Sequence, residues 1–469
     1  MAAHIEATEG MAFMPQLTLP YLAALCADYA TKAGVPLRIF TVDEKAENLA
    51  LHDVDLVLFT AGTSNALETY RVSDALRAKG VTTVIGGIHA SSLPNEASQH
   101  ATAIVVGEAE GSLPLLLRDF TAGTLKDRYD GKLCPDLAGL LVPRWDLARN
   151  GDYCPWIVPV QTSRGCRNAC HFCSTTRFQG AKRRHRPVTE IVDEIQTLQE
   201  KGILTPDKTV FFTDNNIVSD SDHLHGRIDT TYARSLFASI APLGIHWVGQ
   251  GEIGAGNDPE LVASMAESGC HLLLVGLESI NRVNLKKIGK YANNTDYVAP
   301  IERLHAHGIG LIGCFIMGLD DDGPGVFDET WRFIRAYIDV PQISLLTPYP
   351  GTLLHQRMAA AGRLLTTDWS RYDITSVVMQ PQHMSGLALE EAYTDLVNKV
   401  YAWPEMLRRA LRYATRRTCN GGPGFGFRER FTSILAPNMI YRRLSLINRL
   451  VTQDLYGTEW HVPAESQAA

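Results

Sequence analysis

No part of the 469-residue chain strings together enough consecutive apolar residues for a membrane-spanning helix, which needs about 20. A helical membrane insertion is therefore not expected. The first residues, Met1-Ala-Ala-His-Ile-Glu-Ala-Thr-Glu-Gly10, have no basic segment leading into an apolar one, so no secretory leader is read there and the expected location is the cytoplasm. Positive charge is in short supply: 44 Lys and Arg face 51 Asp and Glu, a net charge of −7, which argues against a nucleic-acid partner. A disulfide framework is also missing, because Cys26, Cys134, Cys154, Cys270, Cys314 and Cys419 are scattered and suit a reducing compartment. The turn-rich stretch Gly421-Gly-Pro-Gly-Phe-Gly-Phe427 lacks the Lys-Ser/Thr of a phosphate loop. At this length, two or three packed units are expected, and 45% apolar residues are ample to fill them.

Against that background three cysteines stand close together, Cys166, Cys170 and Cys173, in Ser163-Arg-Gly-Cys-Arg-Asn-Ala-Cys-His-Phe-Cys-Ser-Thr175. Thiolates suit iron-sulfur centres, and three of them on a 4Fe-4S cubane leave the fourth iron open for chemistry. The spacing lacks the second Cys pair or His pair of a zinc site, although His171 or His185 as a fourth ligand stays open. This Cys-x-x-x-Cys-x-x-Cys loop resembles the signature of the radical S-adenosylmethionine (SAM) superfamily. The resemblance implies SAM bound to the open iron and cleaved reductively to a 5'-deoxyadenosyl radical, which takes hydrogen from an unactivated carbon. It also implies an adenine contact for Phe172 and an electron donor such as flavodoxin or ferredoxin.

Upstream, apolar runs at 35–42, 54–61, 82–86 and 103–106 alternate with helical periodicity at 17–33, 65–79 and 113–120, the pattern of a doubly wound parallel sheet over residues 1–128. Gly86 and Gly87 let backbone approach a ligand at a strand's carboxyl end. Gly86-Gly-Ile-His-Ala90 and Val106-Gly-Glu-Ala-Glu-Gly111 resemble turns of the cobalamin-binding domain that one large radical SAM subfamily carries. Two departures stand out: the Asp-x-His-x-x-Gly cobalt-ligating motif is absent, and few apolar residues precede Met11, where the resembling domain opens with a strand. His89 reads as a turn residue, since a lone histidine seldom marks a ligand.

A Pro-, Gly- and Asp-rich linker at 129–153 leads to a barrel over 154–380 and a helical region over 381–469. Strand patterns at 158–161, 209–212, 245–249, 272–276, 310–317 and 342–346 make six units, hence a partial, open (β/α)6 barrel with its chemistry at the strands' carboxyl ends. By resemblance, Asp214 in Asp214-Asn215-Asn216 anchors the SAM ammonium, Glu278 in Gly276-Leu-Glu-Ser279 contacts its ribose or ammonium, Gly318 exposes backbone to adenine, and Tyr349 borders the substrate. Alternation places Gln250 and Glu252 on one face, suited to a polar substrate or, for Glu252, to SAM. The basic runs at 182–186 and 408–417 read either as sites for SAM carboxylate or an electron donor or as solvated surface.

Three functions fit: cobalamin-dependent radical C-methylation of a small-molecule, natural-product substrate; a cobalamin-independent radical dehydration, dehydrogenation or rearrangement of a polar substrate such as an amino-sugar; and a non-enzymatic sensor.

Overall fold

The computed structural model describes residues 16–42, 54–134, 136–147, 156–220, 229–290, 296–416 and 426–455. The segment before the first helix, where the question of an opening strand arises, lies outside them, as do residues 421–425.

The first unit is a parallel sheet in the order β1 (Leu56–Thr60), β2 (Thr82–Gly86), β3 (Ala103–Val106), β4 (Arg128–Asp130), flanked by helices Thr18–Ala33, Ala66–Arg77 and Ala109–Thr121. The first helix stops at Gly34, whose left-handed φ of 65° lets its N–H return to Ala30 O. Two expectations need correction. Residues 35–42 form no strand: no described segment pairs with them, and Pro36 has no N–H to give. The sheet also runs past the expected boundary at 128, since Tyr129 and Asp130 pair with Val105 and Val106.

The second unit holds six parallel strands in the order β12-β11-β10-β9-β8-β5, with a short antiparallel hairpin, β6–β7, beside the first strand's exit. Their bounds are β5 Ile157–Val160, β6 Ser163–Arg164, β7 Arg184–His185, β8 Thr209–Phe212, β9 His246–Gly251, β10 Cys270–Glu278, β11 Gly310–Met317 and β12 Val340–Leu345. Most strand residues are buried, as expected of a parallel sheet covered by helices. Val210, Phe212, Trp247, Leu273 and Val275 pack outward against the helices. Val248, Leu272, Ile312 and Val340 face inward, near the strands' amino ends, and meet Ala410, Tyr413 and Ile434 of helices Trp403–Thr415 and Phe427–Leu455.

Those C-terminal helices plug the amino-terminal end of the barrel, which overturns the solvated or donor-docking reading for Arg409, Arg412 and Arg416, while Arg417 lies outside the described residues. Arg409 is completely buried. Arg412 and Arg416 reach the buried Asp339 at 3.2 and 2.9 Å, and His305 approaches it at 2.9 Å. Among the described residues no helix is long and apolar enough to cross a membrane. The two units dock through a shared apolar cluster in which Tyr70, Ala90 and Ala97 of the first meet Trp369, Tyr372 and Val378 of the second. Trp369 Nε1 also donates to Glu96 Oε1 at 2.9 Å.

Candidate active site

The cysteine loop leaves β5 through Thr162, Ser163 and Arg164, and Asp214 at the end of β8 fixes that departure. Thr162 donates its N–H to Oδ2 at 3.1 Å and its hydroxyl to Oδ1 at 2.7 Å, and the Ser163 hydroxyl also donates to Oδ1. Asp214 is fully buried, and both of its oxygens accept from the root of the cysteine loop. Gly165 has φ 89°, and a Cβ there would strike Lys182 O, so only glycine permits this turn. Farther along, His171 N donates to Ile288 O and His171 O accepts from Leu354 N, both at 2.9 Å.

The histidines once open as zinc ligands are otherwise engaged. His171 Nδ1 accepts from Arg357 at 3.0 Å, and His185 Nε2 lies 2.8 Å from Asp220 Oδ2. Among the described residues no trio of His, Cys, Asp or Glu is placed to share one ion. The three thiols are half-buried, and burial pushes Cys170 up to about 12. The same effect, less strongly, raises Cys166, with Glu252 a minor contributor.

Facing the loop is Glu278, at a β-bulge where β10 ends, with φ 63°. That left-handed backbone costs a non-glycine residue about 1–3 kcal/mol, and such strain collects at functional sites. Its effect is to fold the carboxylate back over Gly276, where any Cβ would collide with Oε1. There it meets Lys290 Nζ at 3.0 Å, with side chains 8% and 14% exposed. Burial opposes the Lys290 ammonium, but Glu278 and the nearby Cys170 outweigh it and hold the pKa above its ordinary value. Nothing in the sequence singled out Lys290, which follows Lys286 and Lys287 just after a short helix.

The remaining candidates scatter. Phe172 packs on the barrel core. Gly318, with φ 86°, would meet the Leu389 side chain of helix Gly386–Val400 if it carried a Cβ, and its N–H is given to Asp322 at 2.9 Å. Gln250 stands near the end of β9 on the same face as the inward Val248. Glu252 is buried and accepts from Ser219. Tyr349 packs against the cluster that joins the two units. His89 is completely buried on a short helix, between Thr63 and Glu96. In the basic run after the cysteines Lys182 is exposed, but Arg183, Arg184 and Arg186 are all under 9% exposed and all paired.

Between the strand ends of the first unit and the flank of the barrel lies a cavity of about 730 Å³. Phe59, Gly86, Gly87 and Gly107 line one side, and Arg164 and Phe178 the other. A Cβ on Gly87, at φ 95°, would meet Ala61 N and O at 2.8 Å, so the turn brings bare backbone to the opening. Asn65 also lines the cavity, and its buried Oδ1 has no hydrogen-bond partner. A large, amide-fringed ligand such as a corrin fits this setting: a crevice at the carboxyl ends of parallel strands, bare backbone and an unmatched acceptor.

Comparison with known proteins agrees with both halves. Residues 160–334 match the model of the radical SAM superfamily, and residues 12–117 match that of the B12 binding domain. The bacteriochlorophyllide d C-12(1)-methyltransferase of Chlorobaculum tepidum is 31% identical over 389 residues, 81% of this chain and 82% of the relative. The chain belongs to the cobalamin-dependent radical SAM methyltransferases. The bacteriochlorophyllide d C-8(2)-methyltransferase of the same organism is 28% identical over 397 residues, covering 82% and 85% of the two chains. In fold, this methyltransferase resembles the radical SAM methyltransferase TsrM from Kitasatospora setae, with a TM-score of 0.64 over 93% of this chain and 97% of that one at 16% identity. The methyltransferase accordingly uses a 4Fe-4S cluster, SAM and cobalamin to methylate a small molecule. Family membership decides against the corrin-free and sensor readings.

Proposed function

We propose that the enzyme transfers a methyl group to an unactivated carbon on the rim of a cyclic tetrapyrrole related to bacteriochlorophyllide d. Similarity to two bacteriochlorophyllide methyltransferases over four-fifths of the chain carries this reading. When bound, the cluster supplies the electron that opens SAM and cobalamin supplies the methyl group. This chain's residues divide the remaining work. Cys166, Cys170 and Cys173 each hold one iron, and Asp214 keeps their loop in place. Glu278 and Lys290, as an oppositely charged pair beside Cys170, bind the charged end of SAM and fix its orientation. Gln250, on the inward face of β9, offers an amide to the substrate. The cavity between the units seats the corrin with Gly86 and Gly87 against it. The enzyme works in the cytoplasm with a flavodoxin- or ferredoxin-like electron donor.

The test is anaerobic incubation of the reconstituted enzyme with bacteriochlorophyllide d, SAM, hydroxocobalamin and a low-potential reductant, followed by mass spectrometry. One added methyl group, with S-adenosylhomocysteine and 5'-deoxyadenosine both formed, is the expected result. Unchanged pigment from an enzyme loaded with cluster and corrinoid would overturn the tetrapyrrole assignment.

A further inference from the structure

A buried charge cluster joins the turn that lines the corrin cavity to the root of the cysteine loop. Glu108, directly after β3 and on the cavity wall, is 5% exposed. Arg184 of β7 grips it with both nitrogens, Nη1 to Oε2 at 2.8 Å and Nη2 to Oε1 at 2.7 Å. The same guanidinium donates to Cys134 O at 2.5 Å and Gln179 O at 2.8 Å. Arg184 pairs in register with Arg164 of β6, whose Nη1 lies 2.6 Å from Glu110 Oε1 and 3.5 Å from Glu108 Oε1. Arg164 stands two residues before Cys166, across the tight Gly165 turn. The connection from cavity wall to first cysteine is therefore unbroken and passes through residues less than 10% exposed.

Docking alone does not require this cluster, since the apolar contact around Trp369 and Tyr372 already joins the units. Buried ion pairs are also a poor way to gain stability, because the desolvation of both charges offsets their attraction. What a two-pronged carboxylate–guanidinium pair supplies is direction: it fixes two planar groups in distance and angle.

We infer that Glu108 and Arg184 are positioning residues that set the separation of corrin and cluster, resting on the cofactor assignments above. Ground-state geometry of this kind matters steeply, since a misplacement of about 1 Å can cost on the order of 100-fold in rate.

The experiment compares native enzyme with Glu108→Gln, Glu108→Asp and Arg184→Lys, each reconstituted with iron, sulfide and hydroxocobalamin. Iron and corrinoid contents are measured first, and then the electron paramagnetic relaxation of the reduced cluster with and without cob(II)alamin. In the native enzyme the corrinoid spin should speed cluster relaxation severalfold. Glu108→Gln should lose most of that enhancement at native iron and corrinoid contents, and Glu108→Asp should recover part of it. An enhancement unchanged in a fully loaded Glu108→Gln enzyme would overturn the inference. Should that variant fail to fold, Arg184→Lys, which keeps the charge but loses the two-pronged grip, decides: reduced enhancement supports the inference, and native enhancement refutes it. Low corrinoid content in native enzyme would instead count against the cavity assignment on which the inference stands.

Discussion

Glu278 gives the sharpest test of the SAM site, because one side chain combines strain, burial and charge. Replacing it with Ala leaves the Lys290 ammonium buried without its partner at 3.0 Å, and breaking a buried pair from one side costs about 3–5 kcal/mol. The alanine gains nothing from the backbone, since φ 63° disfavours any residue with a Cβ. Glu278→Gly should therefore be less damaging than Glu278→Ala by about 1–2 kcal/mol, a difference that measures the strain itself. Adding Lys290→Met to Glu278→Ala should restore most of the loss, because an apolar side chain of similar volume replaces an unpaired charge. For SAM, losing a hydrogen bond to a charged group is worth about 1.5–3 kcal/mol, or roughly 10- to 150-fold in Kd. Denaturant unfolding of the apoprotein gives the stabilities. Equilibrium dialysis of SAM against reconstituted enzyme, at equal iron content, gives the affinities. Native SAM affinity in Glu278→Ala, with no stability difference between the Ala and Gly variants, would refute both halves of the reasoning.

Changing Cys166, Cys170 or Cys173 to Ala should abolish cluster assembly and SAM cleavage, read as iron content and 5'-deoxyadenosine; full iron in any single variant would remove that cysteine from the ligand set. Asp214→Asn turns an amide N–H₂ toward donors and should loosen the loop by about 1.5–3 kcal/mol, lowering iron retention during gel filtration while the far-ultraviolet circular dichroism stays native. Burial alone would raise the Glu108 pKa, but Arg184 and the Cys134 amide hold it below the ordinary 4.5. Its stabilising contribution is therefore complete above pH about 4.5 and fades as pH falls through the lower folded value. Melting temperature across that range should fall less steeply in Glu108→Gln than in native protein. Gly87→Ala should reduce bound corrinoid and leave iron unchanged, because its Cβ would press on Ala61 backbone at 2.8 Å.

Much of the architecture is written locally. The apolar runs that became β2, β3, β8 and β11 carry their own bounds, and the three cysteines announce their chemistry by spacing. Residues 35–42 show the limit of that reading: a sequence can favour an extended chain, but a strand exists only where a neighbour supplies the ladder. Asp214 shows another, since a carboxylate at a strand end looks the same in sequence whether it faces a ligand or is surrounded by its own chain's donors. Charge pattern misled most with the basic runs at 182–186 and 408–417. Both suggest a wet surface, yet Arg183, Arg184, Arg186, Arg412 and Arg416 find Asp220, Glu108, Glu194 and Asp339 on other elements, and their burial follows from those pairings. Lys290 was invisible for the same reason: its meaning comes from Glu278 and Cys170, not from its neighbours in the chain.

The C-terminal helices that fill the barrel's amino-terminal end carry a consequence for traffic. Tyr413, wedged with its hydroxyl 3.0 Å from both His271 O and Gly308 O, is 1% exposed. Among the described residues that end is packed with side chains, so under the proposed function substrate, SAM and their spent forms share the opposite rim with the cysteine loop and the corrin crevice. A shared doorway makes sequence of arrival a matter of queueing: whichever molecule sits deepest must come first and leave last, and a methylated product lingering at the rim blocks the exchange of spent SAM behind it.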